Sequence, residues 1–384
     1  MNKNTQAAQA VIVGAALLLH SSAWAADEDA ASKQAYEQRA ALAKKIRKMR
    51  EMRRMLPLSP PAGLSGAFAF PEKGQFVTGI GFRHIEKSGL LQGSDSISTA
   101  EAAASAPNYF AGQPGQPPTL RVIPTKAEGN VIYPFINYAI SKELAVVASL
   151  PLIRKKTTLE TFNPPGTASI GTTDVTSSGI GDAKIGVLFK AYNAPDRKHN
   201  LLVDAILSVP TGSLTEEDSK LTPAGTYQTS RLAYGMQLGS GTWDAIVGVS
   251  YWGKSGQWGW GAQFLGTYRL ESENAEGWSY GDKQSVTGWV SYAASPTVVT
   301  SLRVKKTSED SIEGLDPQIY GPGLGANPDN YGGDRTVMGL GLNWMYAPAR
   351  NISFEYLAPI DEDLNGVQLE HDSTLAISWR NAFF

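Results

Sequence analysis

Asp361, Asp363, Asn365, Gly366 and Asp372 fall on positions 1, 3, 5, 6 and 12 of a calcium-loop pattern. Oxygen ligands at those steps can wrap a hard cation. The last of them is Asp and not Glu, and no helices are expected to flank the segment. A tight turn explains acids and amides beside a glycine equally well. Asp361, Asp363, Asn365 and Asp372 are therefore only a weak calcium candidate, and no other metal site is expected. His371-Asp372-Ser373 carries the letters of a hydrolytic triad. Triad members converge from separate places, however, and consecutive strand residues point to alternating faces. No G-x-S-x-G, H-E-x-x-H or phosphate-loop pattern occurs. The chain does not read as an enzyme, and neither catalytic residues nor cofactors are expected.

The remaining polar residues of interest are dispersed, and what unites them is parity. Between Trp258 and Leu270, Trp258, Trp260, Ala262, Phe264, Tyr268 and Leu270 occupy one parity, with Gly259, Gly261, Gln263, Thr267 and Arg269 on the other. Met338, Leu340, Leu342, Trp344 and Tyr346 alternate in the same way with Gly339, Gly341 and Asn343. So do Leu201 to Val209 against Asp204 and Ser208, and Gly181 to Ala191 against Asp182, Lys184 and Lys190. Period two with one apolar face is a β-strand. If the apolar faces point to lipid, Arg83, Asp182, Lys184, Lys190, Asp204, Asp244, Gln263, Arg269, Arg303, Lys305 and Glu355 face a lumen. There, mixed-sign charges either select solutes or pair with one another and fill a narrow barrel.

Composition limits the alternatives. Lys+Arg total 34 and Asp+Glu 36, for a net charge of −2, which excludes a nucleic-acid binder working through bulk charge. Cysteine is absent, excluding a disulfide scaffold. Residues 1–25 combine Lys3, an apolar run Ala10–Leu19 and Ala23-Trp24-Ala25, the pattern of a secretory signal peptide cut after Ala25. Residues 26–60 form a second region, a basic helix over 27–56 stopped by Pro57, Pro60 and Pro61. Leu42, Ile46, Met49, Met52 and Leu56 make an apolar stripe on it. The stripe suits a short coiled coil joining copies of the chain or docking a partner. It equally suits a lone solvated helix or a barrel plug.

Residues 61–384 are the third region. Twelve spans alternate: 74–86, 129–141, 144–157, 178–192, 199–211, 242–253, 258–271, 282–294, 297–308, 333–347, 351–359 and 373–384. Connections after the even-numbered spans are short, and most others are long, notably 87–128, 158–177, 212–241, 309–332 and 360–372. Long strands, aromatics near strand ends and this alternation favour a transmembrane antiparallel β-barrel of about twelve strands over a soluble sandwich. The short turns then face the periplasm and the long loops the exterior. The chain ends Phe383-Phe384 after the alternating Leu375, Ile377 and Trp379. This resembles the C-terminal signal that the barrel-insertion machinery of Gram-negative outer membranes reads, with the apolar set running through Phe383 instead of Phe384.

Three motifs occur in order: Ser178-Gly179-Ile180-Gly181-Asp182, Ser208-Val209-Pro210-Thr211-Gly212 and Gln237-Leu238-Gly239-Ser240-Gly241-Thr242-Trp243-Asp244. Together they resemble the meta-pathway phenol-degradation family of outer-membrane barrels. That resemblance implies an outer-membrane channel, in some members linked to uptake of aromatic or hydrophobic compounds. The expected partners are outer-membrane lipid and a small solute, with no nucleic acid. Alternatives are an export pore for a secreted polypeptide, with helix 27–56 assembling oligomers, and a surface-binding barrel with a closed lumen.

Overall fold

A computed structural model describes residues 33, 35–44, 46–47, 61, 64, 70–196 and 198–383. The expected signal peptide and most of the Pro-rich linker lie outside the described residues. Of the basic helix, the described residues between 33 and 47 are helical, with Leu42 and Ile46 of the apolar stripe exposed.

The rest of the described chain is built around one closed sheet. In chain order its strands are β1 (Phe76–Gly93), β2 (Asp95–Ile97), β3 (Val122–Ala139), β4 (Leu144–Ser149), β5 (Leu152–Phe162), β6 (Ser169–Ile180), β7 (Ala183–Asn193) and β8 (His199–Val209). The hairpin β9 (Glu217–Leu221) and β10 (Tyr227–Arg231) stands apart from that sheet. Next come β11 (Asp244–Ser255), β12 (Trp258–Arg269), β13 (Trp278–Ser279), β14 (Lys283–Ala293), β15 (Val298–Glu309), β16 (Glu313–Gly314), β17 (Gly333–Ala347) and β18 (Arg350–Phe383). The ring runs β1-β18-β17-β15-β14-β12-β11-β8-β7-β4-β3, and β3 pairs again with β1.

These eleven elements are antiparallel throughout, and a closed antiparallel ring needs an even number of passes. The 34-residue β18 resolves the mismatch by passing twice. Its first arm pairs with β17 from Ala347↔Arg350 to Gly333↔Leu364, and its second pairs with β1 from Gly93↔Leu364 to Phe76↔Phe383. The chain reverses where Gly366 takes a φ of 58°. The Ala382 amide donates to the Ala349 carbonyl, so the two ends of the element lie side by side. The result is twelve passes, as the alternation implies.

The apolar parity faces out. Ile185, Val187 and Phe189 of β7, Val247 and Val249 of β11, and Met338, Leu340 and Leu342 of β17 are all exposed. The opposite parity is polar and buried, including Ser250, Gln263, Thr287, Ser301 and Asn343. This inverts the pattern of a water-soluble protein and matches a lipid-facing wall. Phe189, Tyr192, Tyr251, Trp258, Tyr292, Trp344, Tyr346 and Trp379 are exposed at the strand ends beside the short turns, forming a girdle. The turns themselves are locally encoded. Ser141 Oγ accepts from the amides of Glu143 and Leu144 (both 3.0 Å), and Ser295 Oγ accepts from those of Thr297 (3.2 Å) and Val298 (3.1 Å).

On the exterior side the strands outrun their expected limits. β1 continues to Gly93, β3 starts at Val122, and 158–177 is mostly the paired ends of β5 and β6. Beyond residue 84 the outward parity turns polar, with His84, Glu86, Lys126 and Glu128, so hydrophobic contrast ends while the backbone ladder continues. The segment 87–128 is therefore not a plain loop. It also carries helix α1 (Thr99–Ser105), opened by a capping box in which Ser98 Oγ accepts from the Glu101 amide (3.2 Å). The Ser98 backbone and side-chain bonds hold the Glu101 carboxyl below its usual range. Ala102 and Ala103 pack with Leu90, Leu120, Phe162 and Val367. A second cluster joins Phe110, Tyr234, Trp278, Ile312 and Ile319, capping the exterior mouth.

The outward parity generates a test. Leu340→Arg, at an outward site 65% exposed, should lower unfolding stability in lipid vesicles by about 2–4 kcal/mol, the cost of Arg on the lipid face near the midplane. Denaturant titration of the folded barrel in vesicles measures it.

Candidate functional site

The three sequence motifs meet at one place on the exterior rim. The chain breaks between the consecutive strands β6 and β7 at Gly181-Asp182, where its partners change from β5 to β4 and β8. Asp182 accepts from the amides of Gly212 (2.9 Å) and Ser240 (2.7 Å) and from Ser240 Oγ (3.0 Å). Thr211 Oγ1 donates to the Gly181 carbonyl (2.8 Å) and accepts from the Ala183 amide (2.9 Å). The two loop strands cross so closely that a Cβ on Gly212 would fall 2.5 Å from the Gly239 Cα. Gln237 secures the same loop, donating from Nε2 to the Leu232 carbonyl (2.8 Å) and accepting from the Glu216 amide (2.9 Å). Thr242 Oγ1 donates to Asp244 (2.7 Å), which also binds Arg269 Nη1 (2.6 Å), and Ser240 Oγ lies 3.2 Å from the same carboxylate.

The expected lumen residues divide by what they do. Asp182 spends its carboxylate on loop amides, and Asp244 and Arg269 form the buried pair beside it. Lys184 lies on the inward parity below this knot, with Nζ 3.5 Å from the Asp182 carbonyl. Arg303 and Glu355 form a two-pronged ion pair (2.7 and 3.0 Å), and both are buried, at exposures of 2% and 1%. Gln263 Nε2 donates to Ser250 Oγ (3.3 Å). Arg83 lies over the Tyr133 ring (5.6 Å), and Lys190, near the opposite end, lies over the Phe70 ring (3.9 Å). Asp204 is fully buried, and neither carboxylate oxygen has a hydrogen-bond partner among the described residues. Lys305 is on the inward parity, in register with Thr287 and Val337.

Above the lumen lies a cavity of about 940 Å³, bounded by β1, β3, β5, the β9–β10 hairpin and the 317–331 loop. Ile85, Val131, Ile153, Leu159, Val175, Leu232, Met236, Ile319 and Leu324 supply an apolar wall. The free edge of β6 is closed off by side chains and loop amides instead of a ladder: Thr176 N–H donates to Asp218 (2.8 Å), and Ser177 Oγ donates to the Met236 carbonyl (2.7 Å). Tyr234 anchors the roof: the Asp316 amide donates to its hydroxyl (3.1 Å), the Tyr280 hydroxyl donates to its carbonyl (2.6 Å), and burial pushes its phenol up to about 12.

Several inward charges escaped the sequence reading. Lys87 and Lys155 line the cavity, Lys283 pairs with Glu309 (2.6 Å), and Arg335 pairs with Glu362. Their signal was parity carried past the apolar band: Lys87 continues Gly81, Arg83 and Ile85, and Glu309 continues Arg303 and Lys305.

The residues with calcium-loop spacing lie on one hairpin. Asp361, Asp363, Asn365 and Asp372 belong to the arms and turn of β18. Asn365 Nδ2 donates to Ser311 Oγ and the Tyr331 carbonyl (both 3.1 Å), and Asp372 accepts from Ser88 Oγ (2.9 Å). Among the described residues no three acidic or histidine side chains gather to hold a metal ion.

Neither a protein-family model nor a curated protein matches the sequence. Solved structures do match. The COG4313 outer membrane channel from Pseudomonas putida F1 aligns with a TM-score of 0.54 at 12% identity, over 83% of this chain and 99% of that one. The CymD monoaromatic hydrocarbon channel has a TM-score of 0.43 at 12% identity, over 85% and 97%. The P. putida toluene transporter TodX has 0.42 at 12% identity, over 85% and 93%. At 12% identity the likeness to the COG4313 channel speaks for the fold alone, and that fold is the outer-membrane β-barrel.

Two substitutions test the site's construction. Asp182→Ala leaves two loop amides without their carboxylate and should make residues 212–241 the first segment cleaved in limited proteolysis, while the barrel stays folded. Glu355→Ala strands Arg303 in a buried setting and should cost about 3–5 kcal/mol of stability, with Glu355→Ala combined with Arg303→Leu recovering part of it in the same denaturant assay.

Proposed function

We propose that this outer-membrane barrel is a channel for small hydrophobic solutes, aromatic compounds among them, and that it belongs with the phenol-degradation barrels its motifs resemble. The carrying observation is the apolar cavity of about 940 Å³ at the exterior mouth, large enough for a small organic molecule. Supporting it, the three family-like motifs form one knot that holds the cavity's loop in place. A solute leaves the outside medium for the apolar vestibule, then passes the charged lumen below, whose inward residues screen it by charge and size. No cofactor takes part.

One observation favours a second reading. Asp204, Arg303 and Glu355 are almost wholly excluded from solvent, as in a barrel that holds its ligand behind a closed lumen. Single-channel recording separates the two: stepwise currents support the channel, and a silent bilayer supports the closed binder.

The vestibule itself is tested by filling it. Gly129 faces the cavity, and a Cβ there would meet only Ile85, at 3.9 Å. Cells producing Gly129→Trp at normal membrane levels should accumulate radiolabelled phenol several-fold more slowly than cells producing the unaltered chain. Equal rates would remove the vestibule from the path.

A further inference from the structure

The cavity wall is apolar, yet it carries four cations, Lys87, Lys155, Lys220 and Arg231, against two acids, Glu217 and the Lys126-paired Glu128. Lys155 is satisfied: its ammonium donates to the carbonyls of Gly235 (2.9 Å) and Gln237 (2.6 Å). Arg231 is matched by Asp316 (2.8 Å) and Glu276 (3.1 Å). Lys87 and Lys220 differ, since among the described residues neither ammonium has a hydrogen bond or an ion pair.

Around Lys87 two acids stand with two other cations: Arg335, Glu309, Glu362 and Lys283 all act on it. Arg335 is committed to Glu362, and Lys283 to Glu309. The two acids are thus already neutralised, and Lys87 is left over. Lower in the lumen, Lys305 feels Lys283, Arg83 and Arg303, with Glu309 opposing them, and it too has no ion pair among the described residues. A solute moving inward from the vestibule therefore meets Lys87 and then Lys305.

An ammonium with no counter-ion in a partly desolvated, apolar-walled site is poised for an anion, because a charge-assisted hydrogen bond is strongest where water is scarce. The neighbouring wall of Ile85, Val131, Ile153 and Leu159 suits a hydrocarbon body. Resting on the proposed channel function, we infer that the vestibule's preferred ligand is a hydrophobic monocarboxylate, an aromatic or medium-chain acid, with its carboxylate on Lys87 and its apolar body against the β1–β3–β5 wall.

Matched probes test this on the full chain purified in detergent: 4-butylbenzoate against 4-butylbenzyl alcohol, which share a body and differ in charge, measured by calorimetric titration. The unaltered protein should bind the acid about tenfold more tightly than the alcohol, the factor that ~1.4 kcal/mol represents. Lys87→Met should abolish that preference, leaving acid and alcohol to bind alike, and Lys87→Arg should restore it. Heat-modifiable mobility on gels confirms that each variant is a folded barrel. Equal binding of acid and alcohol to the unaltered protein, or an acid preference that survives Lys87→Met, would overturn the inference while leaving the apolar vestibule standing. Binding of neither probe would overturn both it and the vestibule reading beneath it.

Discussion

Every amide and carbonyl that crosses hydrocarbon needs its partner inside the sheet, because lipid offers none. That demand governs this chain. β1 is paired on both edges, with β3 on one side and the returning arm of β18 on the other, so the wall has no open edge through the membrane. Closure then decides where each parity goes. Leucines, valines and aromatics face out, and the polar set is forced inward, where it must be satisfied within a narrow space. Arg303 with Glu355, and Asp244 with Arg269, answer that need. Such pairs give up hydration on burial, and the Coulombic return depends on good geometry. The two-pronged Arg303–Glu355 contact has that geometry.

Above the membrane the closure rule relaxes, and the structure uses the freedom. β6 leaves the ring at Gly181-Asp182, and the wall there is completed by a loop instead of a ladder. A loop cannot hold such a place by backbone pairing alone, which gives Asp182 its importance: one carboxylate fixes two loop amides and a serine hydroxyl. The glycines at 212 and 239 permit the close crossing that brings those amides within reach. With that loop seated, Tyr234 and Trp278 roof the mouth and a cavity remains beneath.

Much of this was legible in the residues. Period-two alternation gives the twelve passes, and the short connections match the observed turns. What alternation could not show was how far β1, β3, β5 and β6 run beyond the membrane, since polar residues on both faces erase the contrast while hydrogen bonds persist. Lys87 and Glu309 were overlooked for the same reason. The three motifs could be read as letters, but their meeting at Asp182 depends on contacts across 30 and 58 positions of sequence, which no local pattern encodes. The acid-rich run around Asn365-Gly366 has the spacing of a cation loop, and its backbone makes the hairpin turn of β18.

Because the chain has no native cysteine, single cysteines can be introduced along β17 and spin-labelled in lipid vesicles. Relaxation by oxygen, which concentrates in the bilayer, should peak at 338, 340, 342 and 344 and fall at 339, 341 and 343. A flat profile, or one in which a water-soluble nickel reagent reaches the even positions best, would mean that the apolar face does not meet lipid.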